Sequence, residues 1–505
     1  MGWLVRSKII TIFVFAILIL PASNVFAFSN GQPATVVIGQ GTFTSNIAGT
    51  TATALQNPSG ISFDSAGNLW VVDFNNNRVL KYVAPITTGE AATVVIGQGS
   101  FTTGTFGTTA TTLSGPGSIS FDSAGNLWVV DSNNNRVLKY AAPITSGEAA
   151  TVVIGQGTFT TGTFGTTATT LTGPVGISFD SAGNLWVADS SNSRVLEYAA
   201  PITTGEAATV VVGQSTFTTN TAGTTATTLT FPTGISFDSA GNLWVADDVL
   251  KYAAPITTGE AATVVIGQGS FTTGTFGTTA TTLHTPFGIS FDSAGNLWVA
   301  DRGNNRALKY AAPITTGEAA TVVIGQGSFT TGTFGTTATT LSGPGSISFD
   351  SAGNLWVTEF NNNRALKYPT TISQVTGQLT VIANTCGINV VSGAPINYGS
   401  LTPGSISTEQ TVVLQNTGTA SGTLAVHGTD WLDGSSIAQI LVGNTKFSTA
   451  SNTYASKTAL TTVDQTVGTI NPTPNLSTFW QVQVNLISSS FSGSLTQTTT
   501  FSNSC

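Results

Sequence analysis

Residues Gly60-Ile61-Ser62-Phe63-Asp64-Ser65-Ala66-Gly67-Asn68-Leu69-Trp70 form a block that returns five more times along this chain of 505 residues. The six copies place their phenylalanine at Phe63, Phe121, Phe179, Phe237, Phe291 and Phe349. The interval between copies is 58 residues, except for one interval of 54 between the fourth and the fifth. A fixed period of this kind indicates a solenoid or a propeller, and the content of one unit decides between them.

Each unit contains four short apolar runs, which in the first unit are residues 61–64, 69–73, 79–82 and 93–96. The runs are rich in β-branched and aromatic residues, and turn-forming sequences such as Ser-Ala-Gly-Asn and Thr-Thr-Gly separate them. Four antiparallel strands per repeat, here called a to d, are typical of a propeller blade. The sequence therefore predicts an all-β fold.

The strand count predicts how the ring closes. The a-b-c set occurs six times, and a copy of strand d also precedes the first set, at residues 35–38. No such strand follows the sixth strand c, which ends at Tyr368. Six four-stranded blades are complete only if the N-terminal strand closes the last blade, and a ring closed in this way has no exposed edge.

Three kinds of segment in these units resemble the NHL repeat, a family of propellers: 174–180, 184–189 and 304–308. The resemblance covers about residues 35–368 and implies a six-bladed propeller of the extracellular type. It implies no single function, because sensor domains, protein-binding modules and lyases share this architecture. The chain departs from the usual repeat by a Thr- and Gly-rich insertion between strand d and the next strand a, at residues 97–115 and their equivalents. The role of the insertion is open.

The repeat gives domain boundaries at 28–368 for the propeller, 369–378 for a linker and 379–505 for a second domain. Strand-like runs at 411–415, 423–427 and 480–487 alternate with turn-forming residues. The stretch 412–420 resembles immunoglobulin-like modules of surface proteins. We therefore expect a C-terminal β-sandwich.

The N-terminus predicts export. Arg6 and Lys8 precede an apolar run at 9–20, and a small-residue pattern ends at Ala27, so residues 1–27 are predicted to be a signal peptide. An uncleaved anchor is the alternative. The predicted location is secreted or at the cell surface, with no membrane span after cleavage. In an oxidising compartment Cys386 and Cys505 are expected to form a disulfide, and two free thiols are the alternative.

The composition argues against several partners and cofactors. Charged residues are 8% of the chain, the net charge is −8, and no basic cluster is present, which argues against nucleic acid and anionic lipid. Only His284 and His427 are available beside the two late cysteines, which predicts no catalytic zinc, no Ser-His-Asp or Cys-His site and no cofactor. A calcium ion held by backbone carbonyls in the channel stays possible.

Two repeated features are predicted to be structural. One is the tryptophan of strand b, which lies in an apolar run that neighbouring blades bury: Trp70, Trp128, Trp186, Trp244, Trp298 and Trp356. The other is the pair Asp73 and Arg78, which recurs in four more blades with Glu359 in place of Asp in the last. A pair in five copies is expected to fasten the b–c loop. Blade four lacks the arginine and reads Asp247-Asp248-Val249.

The candidate binding residues lie where the blades differ. The a–b turns and c–d connections are nearly identical in all copies, whereas the b–c loops and the residues before strand a vary. Both variable segments leave an antiparallel blade on the same side of the disc, which predicts one recognition face. Neutral drift of loops is the alternative. The predicted binding residues are Phe74, Phe231, Asp248, His284, Phe287, Arg302 and Phe360.

These observations predict an exported binding or surface-scaffold protein that recognises an unknown protein or glycan and is not an enzyme. One alternative is a lyase or hydrolase acting at the channel mouth. Another is a structural component of an envelope or matrix. The ligand and the oligomeric state are open at this point.

Overall fold

The computed structural model describes residues 26–372 and, beyond them, ten shorter segments: 388–392, 409–416, 422–428, 431–432, 438–440, 445–448, 456–461, 465–470, 475–482 and 499–504. Residues 1–25 of the predicted signal peptide and both cysteines lie outside the described residues. The chain forms two compact units, and the first contains Phe26–Ile372. In the described residues, no helix has the length and the apolar character needed to cross a membrane.

The first unit is an all-β propeller of six blades with four antiparallel strands each, which confirms the predicted fold class. The a strands are Pro58–Phe63, Pro116–Phe121, Ile177–Phe179, Ile235–Phe237, Pro286–Phe291 and Pro344–Phe349. The b strands are Leu69–Asp73, Leu127–Asp131, Leu185–Asp189, Leu243–Val245, Leu297–Asp301 and Leu355–Glu359. The c strands are Arg78–Tyr82, Arg136–Tyr140, Arg194–Tyr198, Leu250–Tyr252, Arg306–Tyr310 and Arg364–Tyr368. The d strands are Val94–Ile96, Val152–Ile154, Val210–Val212, Val264–Val265, Val322–Ile324 and, for blade six, Val36–Ile38.

Four of the b–c loops begin with a single 3₁₀ turn: Phe74–Asn76, Ser132–Asn134, Ser190–Asn192 and Arg302–Asn304. The a strands of neighbouring blades contact each other around the central axis, and each blade runs outward in the order a-b-c-d. This order places the b–c loops and the segments before strand a on one side of the disc, because consecutive strands run in opposite directions.

The N-terminal strand closes the ring. Val36–Ile38 pairs antiparallel with Arg364–Tyr368, and Val37 lies opposite Leu366. A second short pair follows, in which Phe26–Ala27 pairs with Thr371–Ile372. Every four-stranded sheet of the propeller therefore has its outer strand, and the two ends of the unit are fastened to each other.

The core lies between blades. Each cluster joins the tryptophan of one blade to apolar residues of the next, so that Trp70 packs with Leu113, Ile119 and Leu138. The six tryptophans are at most 2% exposed. Trp70 also contacts Phe121 of the next strand a edge-on, with 5.7 Å between ring centroids. Burying about 200 Å² of a tryptophan contributes about 5 kcal/mol as an upper estimate, so this one position in each blade holds much of the ring together.

The carboxylate of the a–b turn accepts hydrogen bonds from residues of its own hairpin. Asp64 accepts hydrogen bonds from the backbone of Ala66 and Asn68, and from the indole Nε1 of Trp70 at 3.0 Å. Lys81 lies 3.4 Å from the same carboxylate. Burial by itself would raise the pKa of Asp64, but the bonds from Trp70 and Asn68 outweigh it and hold the pKa below its ordinary value. The carboxylate of this turn therefore has its hydrogen-bond partners within the same blade.

A buried ion pair organises the opposite side of the blade. Arg78 Nε lies 2.7 Å from Asp73 Oδ2, and neither side chain is exposed. The remaining arginine donors reach the insertions on both sides of the blade: Nη2 donates to the carbonyls of Thr51 and Ala54, each at 3.0 Å, and Nη1 donates to that of Phe101. The Thr- and Gly-rich insertions therefore supply the carbonyls that satisfy the guanidinium, which gives them a structural role that the sequence left open.

The second unit contains short strands in separate sheets. A five-stranded sheet contains Ile388–Ser392, Gln410–Asn416, Asn475–Val482, Thr445–Ser448 and Thr458–Ala459. A three-stranded sheet contains Gln465–Ile470, Gly422–Gly428 and Thr499–Ser504, and a two-stranded one contains Trp431–Leu432 and Ala438–Ile440. The described part of this unit is β structure, and the immunoglobulin-like sandwich stays a prediction.

Removal of the closing strand tests the ring. We expect deletion of residues 28–42 to lower the melting temperature sharply or to cause aggregation, because it leaves Arg364–Tyr368 as an unpaired edge. Thermal melting and size-exclusion chromatography measure both effects. An unchanged, monodisperse melt would contradict closure by this strand.

The buried pairs give a second prediction. Arg194→Met should lower the free energy of unfolding by roughly 3–5 kcal/mol, because it leaves Asp189 buried without its cation and three carbonyls without a donor. Arg302→Met is the matched control, since the guanidinium of Arg302 has no hydrogen bond to the described residues and its loss should matter far less. Equal effects in chemical denaturation would show that the pair does not fasten the loops.

Candidate functional site

The variable face is the side of the propeller that carries the b–c loops, the residues before each strand a and the insertions. The insertions rest on the b–c loops through Asn77, whose Nδ2 donates to the carbonyl of Gly104 at 2.8 Å and whose Oδ1 accepts from the N–H of Gly115 at 2.8 Å. The same contacts recur at Asn135 with Gly162 and Gly173. This side of the disc is therefore formed by polar loops that hold one another in place.

The central channel is nearly closed. Its cavity is only about 20 Å³, and its walls come from all six blades. A Cβ atom at Gly176 would lie 2.0 Å from the carbonyl oxygen of Thr233, so only glycine fits there. Ser59 Oγ donates to the carbonyl of Gly117 on the neighbouring strand a at 2.8 Å. The channel therefore has no room for a ligand at this depth, whereas the lyase or hydrolase alternative concerned a site at the channel mouth.

Blade four departs most from the others. Its b–c loop reads Asp247-Asp248-Val249 where blade three has seven residues from Asp189 to Val195, so the loop is four residues shorter and has no arginine. Val249 has a φ of 50°, a left-handed conformation that β-branched residues rarely adopt. Its side chain is nevertheless buried in the core beside Trp244. The short loop thus keeps the core contact and removes the guanidinium from the variable face.

A cavity of about 560 Å³ opens at this place. We call it the blade-four pocket; its walls include Phe231, Asp247, Asp248, Phe276, Phe287 and Arg302. Two carboxyls, one guanidinium and three aromatic rings therefore surround one space. A cavity of this size with apolar walls and a few polar groups is the usual form of a small-ligand site.

Asp247 has no cation beside it. Its Oδ2 accepts a hydrogen bond from the backbone N–H of Thr230 at 2.7 Å, and no described residue donates to its other oxygen. Burial, followed by the nearby charge of Asp248, raises the pKa of Asp247 to about 7 despite the bond from Thr230. Burial also raises the pKa of Asp248, which receives one long contact of 3.4 Å from Gln268. The pocket therefore holds carboxyls whose charge is not compensated.

Arg302 lies between two aromatic rings. Its guanidinium carbon is 4.7 Å from the ring centroid of Phe287 and 4.5 Å from that of Phe360. Burial lowers the pKa of Arg302 below its ordinary value. The residue also borders a second cavity, of about 740 Å³, with Phe334 and Asn361. Stacking fixes the guanidinium while leaving its five N–H donors for a ligand.

Phe231 occupies a strained position. It has a φ of 54°, and its ring is 60% exposed. The equivalent residues of three other blades are glycines with the same sign of φ, Gly115, Gly173 and Gly343. A bulky residue with positive φ costs on the order of 1–3 kcal/mol, and this exposed ring does not recover that free energy by burial.

The structure connects the seven residues predicted for binding. Phe231, Asp248, Phe287 and Arg302 border the blade-four pocket, and Phe360 stacks on Arg302. Phe74 is linked to this group through Phe360, with 5.8 Å between ring centroids, and His284 through Phe276 at 4.6 Å. In the described residues, no three His, Cys, Asp or Glu side chains come together as a metal site.

Of the six wall residues named above, Asp247 and Phe276 were not predicted to bind a ligand. Asp247 was recognised from the sequence as an aspartate without its arginine, but it was not predicted to bind a ligand. Phe276 belongs to an insertion whose position on the variable face was not known. The missing arginine was therefore the signal for Asp247, and no signal pointed to Phe276.

Three solved structures with a similar chain course are described as enzymes. Virginiamycin B lyase from Staphylococcus aureus is 16% identical, with 62% of this chain and 84% of that chain covered and a TM-score of 0.36. A streptogramin B lyase is 14% identical, with 64% and 95% covered and a TM-score of 0.38. A gluconolactonase from Xanthomonas campestris is 13% identical, with 67% and 99% covered and a TM-score of 0.41. No curated protein sequence matches this chain.

These matches correct one prediction. The expectation that the chain is not an enzyme is contradicted, because similar solved structures include lyases and a gluconolactonase. At 13–16% identity and TM-scores below 0.5 the likeness concerns the fold, and it transfers neither an activity nor a catalytic residue to this chain.

The repeat itself has a family match. Residues 55–82, 113–140 and 171–198 match the model of the NHL repeat. Each matched segment begins just before a strand a and ends at the tyrosine that closes strand c. The other three blades repeat the same strands and the same inter-blade contacts. The chain therefore carries NHL repeats in a six-bladed β-propeller.

Proposed function

We propose that this protein recognises a protein or glycan ligand on the variable face, with the blade-four pocket as the centre of the binding site. One observation carries the proposal: where blade four departs from its neighbours, it combines an exposed phenylalanine of positive φ with a partly buried carboxyl that has no cation. Both features lower the stability of the folded chain. Features of this kind concentrate at functional sites, because a bound ligand can compensate for them.

The surroundings of the pocket suit an interface. Aromatic rings and arginine are the side chains that most often anchor binding. The insertions contain no charged residue, and they expose further rings around the same face: Phe106 at 78%, Phe164 at 77% and Phe334 at 78%. A ligand larger than the pocket would therefore meet apolar anchors at regular intervals beyond it.

The wider setting is part of the proposal. Residues 1–27 would direct export, and the immunoglobulin-like sandwich at 379–505, with a disulfide between Cys386 and Cys505, would present the propeller at the cell surface or in the medium. The signal-peptide pattern and the late position of both cysteines support this setting.

Binding panels test the proposed function. The mature chain is applied to a glycan panel and to proteins of a cell-surface extract, beside Arg302→Ala and Phe231→Gly variants. We expect both variants to weaken capture by about tenfold or more, as for anchors at the centre of an interface. Capture that survives both changes but is lost on altering the Ser-Ala-Gly-Asn turns would place the site on the opposite face.

A second candidate is a lyase or hydrolase acting at this pocket. It is favoured by the pKa of about 7 at Asp247, which is the range in which a carboxyl serves as general acid or base. Mass spectrometry of ligand incubated with the wild type and with Asp247→Asn separates the two candidates. Chemical change of the ligand with the wild type alone would indicate catalysis, and unchanged ligand with both would indicate recognition.

Phe231 gives a prediction about stability. Phe231→Gly should raise the free energy of unfolding by about 1 kcal/mol while weakening ligand capture, because glycine adopts the left-handed conformation without strain. The reverse change at the equivalent position, Gly173→Phe, should lower it. Denaturant titration measures both. A destabilised Phe231→Gly variant would mean that the ring contributes to folding and not to a site.

Asp247 gives a prediction about pH. Its pKa is raised from 3.8 to about 7 in the folded chain, so the folded state binds the proton more tightly and stability falls as pH rises between about 4 and 7. The stability gained by Asp247→Asn should therefore grow over this window, by up to roughly 1.4 kcal/mol per pH unit. Asp189→Asn, which deprives Arg194 of its carboxylate, should destabilise throughout. A gain that does not change with pH would contradict the raised pKa.

A further inference from the structure

Five blades of the chain show how this fold holds a guanidinium. In blade three, Arg194 Nε lies 2.7 Å from Asp189 Oδ2, and Nη2 donates to the carbonyls of Thr167 and Thr170, each at 3.0 Å. Nη1 donates to the carbonyl of Phe217. The receptor is thus one carboxylate and three backbone carbonyls, and the same set recurs around the arginines of blades one, two, five and six.

Blade four keeps the carboxylate of this receptor in place. Asp247 accepts the N–H of Thr230 at 2.7 Å, as Asp189 accepts that of Thr172 at 2.6 Å. The aspartate is therefore held by the same backbone contact as in blade three. What is missing is the side chain that it would pair with.

Blade four also keeps two of the three carbonyls. In the insertion that leads into it, the N–H of Thr225 donates to Thr228 Oγ1 at 3.1 Å, and the N–H of Gly223 donates to the carbonyl of Leu229 at 3.1 Å. The corresponding distances before blade three are 3.0 and 3.2 Å. The loop has the same fold, so the carbonyls of Thr225 and Thr228 are the equivalents of those that bind Arg194.

From this comparison we infer that the blade-four pocket binds a guanidinium group of the ligand, in the place that the chain's own arginine fills in the other five blades. The inference rests on the proposed function and names the chemistry that its pocket takes. A planar guanidinium fits a carboxylate and several carbonyls at once, which a compact ammonium does not.

The walls of the pocket suit an arginine side chain. Phe231 and Phe276 stand at the pocket with rings that are 60% and 70% exposed, and they can cover the apolar stem of the ligand. Arg302, on another wall, offers donors to a carbonyl or carboxylate of the same ligand. The pocket therefore matches an arginine residue of a protein partner, and a free guanidine compound is the other source of the same group.

Calorimetry on the full mature chain tests the guanidinium site. The probes are an acetylated and amidated Thr-Arg-Thr peptide, the same peptide with citrulline or with lysine in place of arginine, and agmatine. We expect the arginine peptide to bind at least tenfold more tightly than the citrulline peptide and several-fold more tightly than the lysine peptide. Agmatine that binds as tightly as the arginine peptide would assign the site to a small molecule, and weaker binding of agmatine would assign it to a protein partner.

A loop graft is the matched control. Replacing residues 247–249 by the blade-three sequence Asp-Ser-Ser-Asn-Ser-Arg-Val restores the internal arginine. This graft should raise the melting temperature and weaken binding of the arginine peptide at least tenfold. Asp247→Asn keeps the native loop and should weaken binding of the arginine peptide by a similar factor. This variant tests the inference even if the graft does not fold. Equal binding of the arginine and citrulline peptides, or binding that survives Asp247→Asn, would overturn the inference.

The two proposals fail in different ways. If the arginine peptide does not bind while Phe231→Gly and Arg302→Ala still weaken capture of a protein or glycan, the guanidinium site is wrong and the proposed function stands. If neither variant changes any capture, the proposed function is wrong, and peptide binding that depends on Asp247 would then define only a local cation site.

Discussion

The buried pair of arginine and carboxylate is the contact on which the variable face depends. In each of five blades it joins strand b to strand c, and its outer nitrogens bind the carbonyls of two insertions. Buried ion pairs are tolerable only when every donor and acceptor has a partner, and here the insertions provide those partners. The insertions in turn have few apolar residues of their own to bury, so the guanidinium is a main reason that they adopt one conformation. Pair and insertion are thus parts of one structure.

The closed ring explains why blade four can lose this contact. Its core contacts with the neighbouring blades are complete, since Trp244 and Val249 pack with Leu283 and Ile289 of blade five. Its insertions are held by hydrogen bonds among their own threonines and by Asp247, which still accepts from Thr230. The loss therefore stays local: a guanidinium disappears, a cavity opens, and the rest of the disc keeps its geometry. A site of this kind needs a rigid frame, and the inter-blade cores supply it.

The repeats made the propeller fold predictable from the sequence. The candidate site was less predictable, because many of its contacts are made by backbone groups. Counting strands was enough to place Val36–Ile38 in blade six, because a closed ring leaves only one arrangement. The partners of Arg78 are carbonyls, which every residue has, so no side-chain pattern announces them. The stacking of Arg302 between Phe287 and Phe360 joins blades five and six, and the left-handed φ of Phe231 depends on a turn whose usual residue is glycine. The stacking of Arg302 and the conformation of Phe231 can therefore be seen only in the folded propeller.

Because the blades are nearly identical, blade four can be compared directly with blade three. Asp189 and Asp247 share their place in the repeat, a backbone donor and a flanking loop, and they differ in whether a cation lies beside them. In blade three the chain supplies the cation, and the carboxylate serves stability alone. In blade four the same carboxylate is held in the same place without that compensation, next to a cavity large enough for a ligand group. Because an uncompensated charge is unfavourable even when it is only partly buried, the folded chain gains most from a ligand that brings the opposite charge. Five blades thus contain a carboxylate with its arginine bound, and blade four contains the same carboxylate with no arginine beside it.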